Sequence, residues 1–210
     1  GITTFFTVML SIVIAIGIFM VLPAFLTGLL SNMIKNQLIV VILEGALRLI
    51  IFLGYVIVIS QMSEIKRMFM YHGAEHKTIN CLEAGDALTV NNIRKHSRFH
   101  KRCGTSFIFV VIIVSIIVFM FISVDNSILR IVYRILLVPV IAGVSYEFVR
   151  FAGKSDSKIM TILSIPGMWV QRLTTKEPDD SMIEVAIASV EGVIDWEEYI
   201  KQLNNGELEG

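Results

Sequence analysis

All four histidines and both cysteines of this chain lie in one short segment. They fall between residues 72 and 103 of the 210, at His72, Cys81, His76, His96, His100 and Cys103. Imidazole nitrogens and thiolate sulfurs are preferred ligands of zinc. Because the chain concentrates these side chains in so small a region, the sequence predicts a site for a divalent metal, with zinc (Zn2+) as the expected ion.

The first half of this segment has the spacing of a helical metal site. His72 and His76 are four residues apart and project from one face of a helix, and Glu75 lies on the same side. The order His-x-x-Glu-His is the signature of one group of zinc hydrolases, in which the glutamate acts as general base. We therefore expect His72 and His76 to be metal ligands and Glu75 to be catalytic.

A third ligand has to come from another part of the segment. Cys81 falls on the opposite helix face and is interpreted as an inert side chain, and Glu83 lies about 16 Å further along the same helix. A hairpin that folds the second half of the segment back would bring one of three candidates to the site: His96, His100 or Cys103.

The charges of this region allow a second interpretation. Residues 60–103 carry eight Lys or Arg and four Asp or Glu, whereas the chain from residue 177 onward carries ten acids and one base. The basic surface could bind phosphates or anionic lipid headgroups instead of a metal, or be only a polar structural loop. We also expect the acidic tail to dock on it.

Hydropathy indicates which structural elements position these residues. The chain is 55% hydrophobic and 17% charged with a mean hydropathy of +0.73, where soluble domains are roughly 45–50% apolar and about 25% charged. Apolar stretches at 4–30, 38–60, 105–124 and 128–151, the last two joined by a turn at 125–127, are long enough to cross a core about 30 Å thick. The sequence predicts an all-α, polytopic helical membrane protein with about four transmembrane helices.

The chain divides into five predicted regions. Residues 1–60 form transmembrane helices 1 and 2, 61–104 the basic metal-site loop, 105–157 transmembrane helices 3 and 4, 158–175 an interfacial segment broken at Pro166, and 176–210 an acidic helical tail. Because basic loops stay in the cytosol, the loop 61–104 and both termini are expected there. In the tail, Ser181 with Glu184 predicts a helix start, and Ile183, Ile187, Val190 and Ile194 predict one apolar face.

Charged residues inside the predicted spans indicate an alternative function. Glu44 and Arg48 lie four apart in the second span, and Arg134 and Glu147 lie in the fourth. An intramembrane charge costs about 2.5–3.5 kcal/mol on insertion scales, so these residues form either an internal ion pair or the lining of a polar path. A path through so few helices would need a homo-oligomer, which suggests an ion channel or transporter with a structural or regulatory metal loop.

Several motifs together resemble a known family. Residues 71–78, 103–107, 142–147 and 173–180 are similar to those of the YqhQ-like bacterial membrane proteins, a largely uncharacterised family labelled predicted metal-dependent enzyme. The resemblance implies a membrane location and a metal, but no reaction. The family's glycine-rich motif ahead of the first helix is missing here, so a site built partly from it would be incomplete.

These observations give one leading functional expectation. The protein is expected to be a metal-dependent hydrolase of the bacterial plasma membrane, with a lipid-linked or peptidic substrate. Its expected partners are the lipid bilayer, anionic headgroups at the basic loop and further copies of itself, and not nucleic acid. A membrane scaffold without turnover is the remaining possibility.

Overall fold

The computed structural model describes residues 1–30, 34, 36–122, 127–154 and 157–207. Within these ranges the regular secondary structure is helical and no strand occurs, which confirms the all-α class. Residues 125 and 126 of the predicted turn lie outside the described ranges. In chain order the elements are α1 (Ile2–Ile16), a π-helical segment (Gly17–Val21), α2 (Leu22–Leu30), α3 (Gln37–Ile59), α4 (Ser63–Glu83), α5 (Val90–Ile93), α6 (Gly104–Met120), α7 (Ser127–Leu136), α8 (Val138–Lys154), α9 (Lys158–Thr174), α10 (Asp180–Glu191) and α11 (Trp196–Asn204).

The helices include several that could cross a membrane. Ile2–Leu30 and Gln37–Ile59 are long and apolar enough, and the pair Ile128–Leu136 and Val138–Lys154 adds a third span if the bent pair counts as one. The apolar part of α6, Phe107–Met120, is shorter. Two or three helices are therefore compatible with membrane association. The predicted total of four spans stays a prediction, because it requires the shorter helix α6 to cross the membrane as well.

The last predicted span is bent instead of continuous. Its two helices, α7 and α8, meet at an angle of 43° around Leu137. Pro139 supplies the physical reason, because it has no N–H to donate and its ring clashes with the carbonyl four residues earlier. The span predicted over 128–151 therefore consists of two helices that meet at a bend.

The chain divides into two compact units. Unit 1 comprises Gly1–Tyr55 and Phe107–Phe148, and unit 2 comprises Val56–Ser106 and Val149–Gly210. In unit 1, α3 and α6 approach closely at Gly45, where a Cβ atom would lie 2.2 Å from the side chain of Ile116. Only glycine allows that approach without a shift of the neighbouring side chain. A buried cluster of Val41, Phe119 and Ile141 completes this packing.

Unit 2 is built around α4, and the acidic tail is part of it. Its apolar core combines α4 residues with residues from α10 and from the connection through α5: Ala74, Cys81, Leu82, Leu88, Ile93, Met182 and Ile183. Of the predicted apolar face, Ile183 is in the core, Ile187 and Val190 pack against it, and Ile194 is 37% exposed. The predicted tail of residues 176–210 thus packs on the metal-site segment.

Two local predictions in unit 2 were wrong. Helix α9 continues through Pro166 and is not broken there. Helix α10 is capped by Asp179, whose carboxylate accepts the N–H of Met182 at 3.0 Å, while Ser181 lies inside the helix and donates to the same carboxylate. A carboxylate is at least as good an N-cap as a serine hydroxyl, and its charge also favours the helix N-terminus.

Candidate metal centre

Three of the predicted ligands come together in unit 2. His72 and His76 lie on successive turns of α4 with ring centroids 4.3 Å apart, and Cys103 directly precedes α6. The Sγ atom of Cys103 is 3.3 Å from Nε2 of His72. One ligand atom from each of the three side chains lies within 4.8 Å of the others, so they form a compact group that could hold one ion.

Polar side chains hold Cys103 in this position by fixing the chain that leads to it. We call residues 94–103 the return segment, because it runs back along α4. The buried Lys77 on α4 donates to the carbonyl of Arg94 at 2.9 Å. Gln171 of α9, which is fully buried, bonds both backbone groups of His100, at 2.9 and 2.7 Å. These bonds fix the hairpin three residues before Cys103.

The Nδ1 atoms of both histidines are hydrogen-bonded to backbone carbonyls. Nδ1 of His72 is 2.8 Å from the carbonyl oxygen of Thr174, and Nδ1 of His76 is 2.7 Å from that of Arg98. Since a carbonyl can only accept, the tautomer assigned from these partners places a hydrogen on each Nδ1. Each neutral ring then presents Nε2 as a lone pair, the arrangement found in metal-binding histidines.

Such a set of groups needs a positive charge, supplied either by a proton on the ring of His72 beside the Cys103 thiolate or by a metal cation. In neutral rings both Nε2 atoms are acceptors, and the single S–H of Cys103 can donate to only one of them. A divalent cation would satisfy both nitrogens and the sulfur at once. Tetrahedral zinc, with Zn–N near 2.0–2.1 Å and Zn–S near 2.3 Å, places sulfur and nitrogen about 3.6 Å apart, close to the 3.3 Å between Cys103 and His72. The residues present therefore fit zinc.

The group also favours the thiolate form of Cys103. Burial alone would raise the pKa of this thiol, but hydrogen bonds with His72, His76 and Thr105 outweigh it and lower the pKa to about 5. The hydrogen bond to Cys103 in turn raises the pKa of His72. Because the thiolate is the form that binds metal, both the charge state and the position of Cys103 suit a metal ligand.

Gly73 brings the third chain segment to the site. A Cβ atom at this position would lie 2.0 Å from the carbonyl oxygen of Lys176, and the N–H of Lys176 donates to Phe69 of α4 at 2.8 Å. The chain after α9 therefore lies directly against the α4 backbone, where Thr174 meets His72. Sequence reasoning missed Gly73 and Thr174, and only the motif at residues 173–180 pointed to this segment.

His96 lies in a second group of potential ligands. Its Nε2 is 2.9 Å from the carboxylate of Asp86, and Cys81 lies close enough to both for the three to be counted as a possible metal set. Burial raises the pKa of Cys81 to about 11, however, and its thiol donates to the backbone carbonyls of Asp86 and Ala87. A protonated thiol is a poor ligand, so this group is a weaker metal candidate.

His100 is near the first group but is turned away from it. Its ring centroid is 5.8 Å from that of His76, and its Nε2 is 3.2 Å from the carboxylate of Glu83. Of the three alternatives for the third ligand, Cys103 is thus the one that lies with His72 and His76.

Glu75 and His72 face the same cleft. Glu75 is exposed on α4, and both residues line a cleft of about 730 Å³ in unit 2. Apolar side chains of α10, among them Val185, Ala186 and Val190, form much of its wall. A carboxylate and a candidate metal ligand therefore border one cavity that can accept a partly apolar molecule.

The charged residues of the predicted polar path do not all lie together. Glu44, Arg48 and Arg134 are buried in unit 1 and form ion pairs, with Glu44 between the two arginines. Glu147 is exposed on α8. Three of the four residues thus form a buried cluster, while the fourth is on the surface.

Comparisons with known proteins agree with the resemblance of the motifs. The model of the family described as "Protein of unknown function (DUF1385)" matches residues 1–196. "Uncharacterized protein YqhQ" of Bacillus subtilis (strain 168) is 40% identical over 186 residues, which are 88% of this chain and 58% of that protein. No solved structure matches the chain. Because the family model covers almost the whole sequence, this protein belongs to the DUF1385 family, with a YqhQ protein among its relatives.

Proposed function

We propose that this protein is a zinc-dependent membrane enzyme with hydrolytic activity, in which His72, His76 and Cys103 hold the metal. The observation that supports this most is the binding of both Nδ1 atoms to backbone carbonyls, which leaves two Nε2 atoms beside the thiol of Cys103. Three protein ligands with a fourth position open is the pattern of catalytic zinc sites, whereas structural sites use four.

The residues around the metal have separable roles. A bound zinc ion would supply Lewis-acid chemistry. Glu75 would accept the proton of the attacking water, since it lines the same cleft as His72. The carbonyls of Thr174 and Arg98 hold the two imidazoles in orientation, and the apolar wall from α10 receives the substrate. We propose a lipid-linked or peptidic substrate with an apolar portion.

Metal analysis of the purified full chain tests the site. We expect about one zinc per chain in the wild type and a loss in the double variant His72→Ala with His76→Ala, because two of three ligands are removed. His96→Ala is the matched control, since His96 contacts Asp86 and should leave the zinc content unchanged. Metal-free wild-type protein, or equal zinc in the double variant, would refute the site.

A second experiment tests the reaction. Glu75→Gln should keep zinc while losing hydrolysis of long-chain p-nitrophenyl esters or fluorogenic peptides, by about 10²-fold or more, as expected for loss of a general base. Glu64→Gln is the control, because Glu64 lies in the first turn of α4 and does not line the cleft. Hydrolysis that survives Glu75→Gln would remove the proposed role of Glu75.

The proposal includes a location and partners. We place the protein in the bacterial plasma membrane as a multi-pass, homo-oligomeric protein, with residues 61–104 and both termini in the cytosol. The apolar helices support a membrane location, and the basic residues of the loop support its orientation and contacts with anionic headgroups.

An oligomeric ion channel or transporter is the second candidate function. It is supported by the buried ionic cluster of Glu44, Arg48 and Arg134, since charged residues in apolar spans usually serve a function. The zinc group would then be structural or regulatory. Ion flux into proteoliposomes that is lost in Glu44→Gln and survives Glu75→Gln would favour this function over the enzyme.

A further inference from the structure

A second pocket of unit 2 has a mostly polar wall and a volume of about 440 Å³. Its charged residues come from three elements: Glu83 from the end of α4, Lys101 and Arg102 from the return segment, and Lys154 from the last turn of α8. None of these residues borders the cleft that His72 lines. The pocket is therefore a separate candidate site.

The wall of this pocket carries more bases than acids. Lys101, Arg102 and Lys154 are basic, and Glu83 is the acid among the described lining residues. The carboxylate of Glu83 is already paired, 3.2 Å from Nε2 of His100 and 3.4 Å from Nη1 of Arg102. The hydrogen bond with His100 and the charge of Arg102 lower the pKa of Glu83. Its negative charge is thus balanced by neighbours other than the two lysines.

The two lysines leave the pocket with positive charge that an anion could compensate. In the described part of the chain, no carboxylate lies within ion-pair distance of the ammonium group of Lys101 or of Lys154. Arg102 holds the two lysine-bearing elements together, because its Nε donates to the carbonyl of Gly153 in α8 at 3.2 Å. Cations of one sign gathered in a concave wall attract an anion.

The pocket lies at the end of an apolar helix. Lys154 is the last residue of α8, and α8 together with α7 is a candidate membrane span. The end of a span lies at the level of the lipid headgroups, where long basic side chains extend toward the interface. The anion within reach at this level is the phosphate of a phospholipid.

Helix α9 places an apolar surface next to this pocket. Its Met168 lines the pocket, and the neighbouring Trp169 shares one helix face with Ile162 and Ile165, at spacings of three and four residues. Ile162 and Trp169 are each 63% exposed, whereas Gln171 on the other face is fully buried. An exposed apolar face that carries a tryptophan is typical of a helix at the membrane interface.

We propose that this pocket binds the phosphate of an anionic glycerophospholipid, with Lys101 and Lys154 beside the phosphate and the acyl chains along the exposed face of α9. Lysine ammonium groups bind phosphate as point charges. The apolar face favours a lipid over free phosphate, because only a lipid has hydrocarbon to bury there. The proposal rests on the membrane location proposed above and gives the headgroup contacts one defined site. It does not depend on zinc.

Native mass spectrometry of the purified full chain in detergent, titrated with single lipids, tests this site. We expect phosphatidylglycerol to bind at least about tenfold more tightly than phosphatidylcholine, because the choline group cancels the charge of the phosphate. The double variant Lys101→Ala with Lys154→Ala should weaken binding of phosphatidylglycerol by about tenfold or more, since both uncompensated charges are removed.

The double variant Lys66→Ala with Lys95→Ala is the matched control. It removes two exposed lysines of the same unit that do not line the pocket, so it should bind phosphatidylglycerol as the wild type does. Lys154→Ala alone covers the case in which the first double variant fails to fold, since this side chain is exposed. It should weaken binding by about threefold or more.

Four results would overturn the proposal. These are equal affinity for the two lipids, equal weakening in the control variant, unchanged binding in Lys154→Ala, and displacement of phosphatidylglycerol by equimolar inorganic phosphate, which would indicate a site for free phosphate. Zinc content measured in the same samples separates this site from the proposed enzyme. Lost lipid selectivity with full zinc content would refute the lipid site alone, whereas selectivity without zinc would support the lipid site and refute only the metal centre.

Discussion

At the scale of single residues, the two cysteines show how surroundings decide chemistry. Cys81 is fully buried beside apolar neighbours, and its S–H donates hydrogen bonds to backbone carbonyls. Burial raises the pKa of this thiol to about 11. Cys103 is also buried, but His72, His76 and Thr105 surround its sulfur, and its pKa falls to about 5. The same side chain is therefore a neutral core residue in one place and favours the anionic thiolate in the other.

This contrast predicts the pH dependence of thiolate absorbance in metal-free protein. The variant Cys81→Ala, which retains Cys103, should deprotonate near pH 5, whereas Cys103→Ala should deprotonate only in strongly alkaline solution. Because folding lowers the pKa of Cys103, the stability it contributes is full above the pKa of an unfolded thiol and is lost as pH falls through about 5. An ordinary thiol titration in Cys81→Ala would contradict this.

At the scale of elements, the sequence predicts part of the geometry of the candidate site. The spacing of His72 and His76 requires only a helix, and α4 provides it. The third ligand could not be chosen, because the choice depends on how the return segment folds, and that is decided by distant side chains such as Gln171. The carbonyl of Thr174, which binds Nδ1 of His72, comes from still further along the chain. No residue pattern in α4 predicts this contact.

The close approach at Gly73 predicts a specific effect of a single methyl group. Gly73→Ala should displace the chain at Lys176, cost about 1–3 kcal/mol of stability and weaken zinc binding, because Thr174 would no longer orient His72. Thermal unfolding and zinc titration measure the two effects. Gly192→Ala is the control, since its Cβ would make only ordinary contacts, and equal behaviour of the two variants would contradict the argument.

Contacts between the acidic tail and the basic segment predict that charge reversal at Arg94 and at Lys95 has different effects on the tail. Arg94 pairs with Asp180 at the start of α10, whereas Lys95 contacts Asn92 within its own segment. Arg94→Glu should therefore speed hydrogen exchange in α10 by about two- to fivefold, the range expected for an exposed ion pair, and Lys95→Glu should not. Unchanged exchange in Arg94→Glu would argue against docking through this pair.

At the scale of the whole molecule, the number of spans determines the topology. The described helices provide two spans, or three with the bent pair α7 and α8. Helix α6, with 17 residues, is at the lower limit of about 17–25 residues for a transmembrane helix. With α6 as a span the count is four and both ends of residues 1–207 lie on one side, whereas three spans put them on opposite sides.

Reporter fusions at both ends distinguish these topologies. We expect a fluorescent protein fused at either end to fluoresce, and alkaline phosphatase at either end to be inactive, because the basic loop keeps both ends in the cytosol. A fusion within the loop at residue 91 should behave in the same way. Opposite behaviour of the two ends would show that α6 or the bent pair does not cross the membrane.

The central claim is that two histidines and one cysteine of unit 2 hold zinc, and X-ray absorption at the zinc edge tests it most directly. We expect two nitrogens at about 2.0–2.1 Å and one sulfur at about 2.3 Å around the zinc of the purified full chain. The sulfur should disappear in Cys103→Ser and remain in Cys81→Ser. A zinc shell without sulfur in the wild type, or a sulfur that persists in Cys103→Ser, would contradict the account.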